Sequence, residues 1–85
     1  MSSKLASIPD EVYLLCILHN VGATEPERAL TLEEIARWTA MNPSKAEQNL
    51  NKLIENKYVE IKENFGVKKY FITIDGIRKV LSMYS

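Results

Sequence analysis

The sequence predicts an α+β fold in which three helices are followed by a β-hairpin and a closing helix. Three observations predict it. As far as about Lys57 the apolar residues recur with helical spacing, and beyond it they alternate with period two. Thr31-Leu-Glu-Glu34 and Asn42-Pro43 are helix-start signals in close succession. Asn64-Phe-Gly66 separates the two alternating runs as a hairpin turn would.

A single domain is expected to occupy residues 1–85, with residues 1–6 a loose end. The first helix is expected over residues 9–20, with Ser7 as its cap, Pro9 in the first turn, and Asp10 and Glu11 at the positive end of the helix dipole. Val12, Leu15, Cys16 and His19 share one face, and Leu14, Ile17 and Leu18 cover much of the rest. A helix apolar nearly all round is buried on two sides, which predicts a subunit contact as well as a core. Residues 21–29 form a connection punctuated by Gly22 and Pro26. Thr31 and Glu34 make the capping box of a second helix over residues 32–41, with Leu32, Ile35, Ala36 and Thr39 inward. Asn42 caps a third helix over residues 43–56, with Ala46, Leu50, Leu53 and Ile54 inward.

The hairpin is expected over residues 58–74, with Val59, Ile61, Tyr70, Ile72 and Ile74 alternating against Glu60, Lys62, Lys69, Phe71 and Thr73. Thr73 then caps a helix over residues 74–84 that lines Ile77, Val80, Leu81 and Tyr84 on one face. Trp38 is expected to cover the edge of the core, and Met41 and Met83 to fill gaps in it. Phe71, pointing opposite Tyr70 and Ile72, is free to meet the last helix or a partner.

Composition bounds the function. The 85 residues are 46% hydrophobic and 26% charged, ordinary for a globular chain, and eleven basic residues balance eleven acidic ones. A net charge of zero argues against a uniformly basic coat, but its distribution is uneven. Residues 1–41 hold Lys4, Arg28 and Arg37 against six acidic residues, a charge of −3, and residues 42–85 carry +3. The positive half contains the third helix and the hairpin, the side suited to a polyanion. One cysteine forms no internal disulfide, and the apolar run at residues 12–18 is too short to cross a bilayer, so a cytoplasmic protein without a membrane partner is expected. The three glycines are isolated, and the single histidine has no serine or carboxylate at a catalytic spacing, so no enzyme is expected. Cys16 and His19 lie three apart, but a metal site needs three or four ligands. No metal, cofactor or small-molecule ligand is expected. A metal site shared across a dimer, and a redox role for Cys16, are minor alternatives.

Four segments in order, Leu32-Glu-Glu-Ile-Ala36, Asn42-Pro-Ser-Lys-Ala46, Leu53-Ile-Glu-Asn-Lys-Tyr-Val-Glu60 and Tyr70-Phe-Ile-Thr-Ile-Asp-Gly76, resemble the winged helix-turn-helix pattern of MarR-, ArsR-, PadR- and Lrp-like regulators. The likeness covers roughly residues 30–76. Two positions depart from it: Ala40 and Lys57 stand where that pattern commonly has glycine, and Asn56 is expected to take the left-handed backbone in place of Lys57.

The resemblance implies that the third helix enters the major groove of double-stranded DNA, while the hairpin, or wing, touches the backbone or the minor groove. The residues matched to that role are Ser44, Lys45, Gln48, Asn49, Asn51 and Lys52 on the third helix, and Lys62, Lys68 and Lys69 on the wing. Gln and Asn can pair with adenine edges, and Lys with phosphate or guanine. A homodimer through the first and last helices would set two such helices about one DNA turn apart. The implied function is transcriptional regulation. The alternative is a protein-interaction module, supported by Glu47 and Glu55 on the third helix and by the apolar wing tip, Phe65 and Val67.

Overall fold

A computed structural model describes residues 8–83. The expectations placed on Ser7, Tyr84 and residues 1–6 lie outside the described residues. Helix α1 (Asp10–Asn20) is followed by a 3-10 turn (Pro26–Arg28), strand β1 (Leu30–Thr31), and helices α2 (Leu32–Thr39) and α3 (Pro43–Glu55). Strands β2 (Val59–Asn64) and β3 (Val67–Ile72) and helix α4 (Ile74–Ser82) complete the order. The sheet runs β1-β3-β2, with β3 antiparallel to both neighbours. Strand β1 is absent from the sequence expectation. Two residues carry no period, and Thr31 is legible only as a cap; the pairing of Leu30 with Tyr70 and Thr31 with Lys69 is a long-range contact.

Helix α1 begins one residue later than expected, with extended Pro9 in the cap position rather than the first turn. Its core side is Leu14, Leu15 and Leu18, while Val12, Cys16 and His19 are only half-buried. A helix apolar nearly all round cannot select its own inward face; packing against α2, α3 and α4 selects it. At its end the Gly22 N–H donates to the His19 carbonyl and the Ala23 N–H to that of Leu18, closing a Schellman motif.

The capping box forms: the Glu34 N–H donates to Thr31 Oγ1, and the Thr31 N–H to Glu34 Oε1 at 2.8 Å. Ile35, Ala36 and Thr39 are buried as the spacing requires. The helix stops at Thr39 because Ala40 turns left-handed at φ 60°, bringing the Met41 N–H onto the Ala36 carbonyl. Helix α3 ends the same way. Lys57, not Asn56, is left-handed at φ 65°, and the Tyr58 N–H returns to the Leu53 carbonyl. Asn56 keeps a right-handed conformation as the helix cap.

The core comprises Leu14, Leu15 and Leu18 of α1, Ala23 just after it, Ile35 and Ala36 of α2, Ala46, Leu50 and Leu53 of α3, Val59, Tyr70 and Ile72 of the sheet, and Val80 of α4. Met41 packs against it as expected. Met83 and Leu81 are exposed instead, and Trp38 is 58% exposed rather than a cover for the core edge. Trp38 falls one residue before buried Thr39 on a two-turn helix, so the turn that buries Ile35 and Thr39 carries it outward. Thr73 joins the last helix to the rest. Its N–H donates to the Tyr58 carbonyl, its hydroxyl donates to the Lys57 carbonyl at 2.8 Å, and the same oxygen accepts the Gly76 N–H. Gly76 packs so close that a Cβ there would collide with the Tyr58 carbonyl oxygen and lie 2.6 Å from Ile72 Cγ1.

Candidate nucleic-acid interface

Helix α3 starts where Asn42 Oδ1 accepts the Lys45 N–H at 2.8 Å and Pro43 presets the first turn. At about 100° per residue, burial of Ala46, Leu50 and Leu53 leaves Ser44, Gln48, Asn51 and Glu55 as the outward spine. Lys45 and Lys52 flank this spine on one side and Glu47 on the other. Asn49 does not belong to the surface: it is 5% exposed, and its Nδ2 donates to the Lys45 carbonyl at 3.1 Å and toward Met41 Sδ at 3.6 Å. The DNA contact that the resemblance implies for Asn49 is therefore not met by its buried position. The side chain is committed to tying α3 to the turn before it.

Two of the expected cations are not free. Lys45 Nζ lies 2.8 Å from Asp10 Oδ2, and Lys52 Nζ lies 3.9 Å from Glu11 Oε1. The acidic first turn of α1, legible as a helix-start signal, also lies along the flank of α3 and offsets its charge. Sequence spacing gives no sign of this, because more than thirty residues separate each pair.

The wing lysines, by contrast, form no ion pair among the described residues. Cross-strand register places Val59 opposite Ile72, Ile61 opposite Tyr70 and Glu63 opposite Lys68, all on the face whose base is core. Glu60 opposite Phe71, and Lys62 opposite Lys69, lie on the other face. The three wing lysines therefore divide. Lys68 shares a groove with Glu33, Glu47 and Tyr70 beside α3, whereas Lys62 and Lys69 line a groove with Pro26 and Phe65 on the outer face. Phe71, half-buried on that outer face, borders a groove with Ile74 and Arg78 at the start of α4.

Burial pushes the Tyr70 phenol above its ordinary range, and the carboxylates of Glu47 and Glu33 push it further the same way. Burial likewise raises the Cys16 thiol above its ordinary value. His19 Nδ1 is buried, with no hydrogen-bond partner recorded among the described residues. Among those residues no three His, Cys, Asp or Glu side chains gather as a metal-binding group, and no helix is long and apolar enough to cross a membrane.

No protein-family model matches the chain, and no curated protein matches it in sequence. Solved structures do. The DNA-binding TubR fragment from Clostridium botulinum superposes with a TM-score of 0.75 at 22% identity, over 91% of this chain and 98% of that one. MepR of S. aureus, solved with DNA, gives 0.75 at 18% identity over 96% of this chain and 65% of its own. Staphylococcus aureus MarR, solved with salicylate and kanamycin, gives 0.61 at 22% identity over 84% and 49%. The chain has the α+β winged-helix fold of these proteins.

Proposed function

We propose that the protein is a DNA-binding transcriptional regulator that places α3 in the major groove of double-stranded DNA and its wing against the flanking phosphates. The observation that carries this reading is the exposed spine of Ser44, Gln48 and Asn51, flanked by Glu47, which shares a groove with Lys68 of the wing. Gln48 and Asn51 can each offer a donor and an acceptor to an adenine edge, and Ser44 can serve either base or phosphate. Lys68, Lys62 and Lys69 supply phosphate contacts, and Lys45 and Lys52 join them once their bonds to Asp10 and Glu11 exchange for phosphate. TubR, MepR and MarR have the same fold, and the MepR structure holds DNA.

The acting unit is a homodimer. Tyr13 on α1, Ile74 and Leu81 on α4, and Met83 at its C-cap are exposed apolar side chains on or beside adjoining helices, in a chain of 85 residues whose own core is small. The fluorescence titration of a mixed-sequence duplex at two salt concentrations tests the reading. Binding is expected to weaken steeply with salt, and Lys45→Ala with Lys68→Ala is expected to flatten that dependence. No binding at low salt, or binding that the paired substitution leaves unchanged, would contradict it.

A further inference from the structure

The wing tip breaks two rules at one residue. Phe65 is fully exposed, and it takes φ 54° in the first position of the two-residue turn that Gly66 completes at φ 81°. Positive φ at both central positions is the pattern of a type I′ hairpin turn, where Asn, Asp or Gly is preferred. A fully exposed ring in a left-handed backbone buries no apolar surface in this chain's own core. Three lysines stand near it, with Glu63 opposite one of them, Lys68. Lys62 and Lys69 face each other across the strands, a like-charge pairing that weakens a hairpin, and Lys68 stands on the opposite face of the same ribbon. Local rules broken together at one exposed point mark a site whose return comes from a partner.

We infer that Phe65 is an apolar wedge that enters the minor groove of the duplex and opens a base step. This deepens the DNA-binding reading and rests on it. The geometry suits a minor groove because the ribbon ends in a two-residue turn whose second residue, Gly66, has no side chain, so that the fully exposed Phe65 ring alone projects from the tip. That groove is walled on both sides by phosphate, and the tip carries lysine on both of its faces. An apolar side chain driven between bases unstacks them and kinks the duplex, most readily at flexible pyrimidine–purine steps such as TA and CA. Phe65 therefore confers a preference for such steps at a position beyond the reach of α3. The amide-bearing spine of α3 beside the wing favours a duplex over a lipid surface, on which base-reading side chains have no use.

The test compares the intact protein with Phe65→Asn, Phe65→Leu and Lys69→Ala on a 30-base-pair duplex carrying TA steps and end-labelled for energy transfer. Asn suits the left-handed position, so Phe65→Asn is expected to keep or raise the melting temperature while losing about tenfold in affinity and most of the bend. Its dependence on salt stays that of the intact protein, because no cation is removed. Phe65→Leu keeps most of the affinity. Lys69→Ala lowers the slope of log affinity against log salt by about 0.9. Phe65→Asn binding and bending the duplex like the intact protein overturns the wedge alone. Failure of the intact protein to bind at low salt overturns both the wedge and the DNA-binding reading. Loss of binding to anionic phosphatidylserine vesicles in Phe65→Asn, with duplex binding unchanged, assigns the tip to a membrane and contradicts the wedge.

Discussion

Thr73 and Gly76 show how much a local signal can hold. The Thr-x-x-Gly spacing is legible in the sequence as a cap, but its second use is not: the hydroxyl that caps α4 also donates to the Lys57 carbonyl, and the missing Cβ at 76 admits the Tyr58 backbone. Gly76→Ala is expected to cost more than about 2 kcal/mol, because backbone rather than a flexible side-chain end blocks the added methyl. Urea unfolding measures it, and a loss below half that size would show that the contact relaxes. Lys57 is the opposite case. It holds φ 65° without glycine's freedom, so Lys57→Gly is expected to stabilise the fold by roughly 0.5–1 kcal/mol. Asn56 was the reasonable choice from composition, since Asn tolerates that backbone well; the residue that takes it is fixed by which N–H reaches the Leu53 carbonyl, a matter of helix length. Asn49 departs from its expected place for a related reason. It sits at the boundary of the helical stripe, where a shift of one position decides between surface and core.

Among the elements, the helices with a clear apolar stripe and a capping residue were legible within one or two residues, as α2 and α3 show. The hairpin was legible as well, through alternation around Phe65-Gly66. Strand β1 and the face of α1 were not, because both depend on packing between distant segments. The same holds for the contact between α1 and α3. Asp10 at 2.8 Å from Lys45 neutralises a cation on the flank of the proposed reading helix and would itself repel a phosphate brought there. Asp10→Asn is accordingly expected to tighten duplex binding at 50 mM salt by about three- to tenfold and to steepen its salt dependence. The same change removes a carboxylate from the positive end of α1, so stability falls slightly, by about 0.3–1 kcal/mol. Affinity and stability moving in opposite directions would separate charge release from general damage. Unchanged affinity would mean that Lys45 takes no part in DNA binding.

For the whole molecule, the zero net charge conceals a division that the fold makes spatial. The −3 of residues 1–41 and the +3 of residues 42–85 become an acidic α1 pressed against a polar α3, with the wing carrying cations on both of its faces. The apolar surface is divided too, with Phe65 and Val67 at the wing tip, and Ile74 and Leu81 on α4 with Met83 at its C-cap. Assigning the α4 group to a second copy of the chain predicts a dimer by sedimentation equilibrium at micromolar concentration, and a monomer on Leu81→Glu. A monomeric intact protein would remove α4 from that role.

The central claim is that α3 and the wing together form the DNA-binding face, and its most direct test is an amide chemical-shift titration with a mixed-sequence duplex in low salt. The predicted result is that shifts concentrate at residues 44–52 and 62–69 and vanish as salt is raised, while the amides of α4 hold still. Shifts confined to α4 and the exposed side of α1, or none at all, would contradict it.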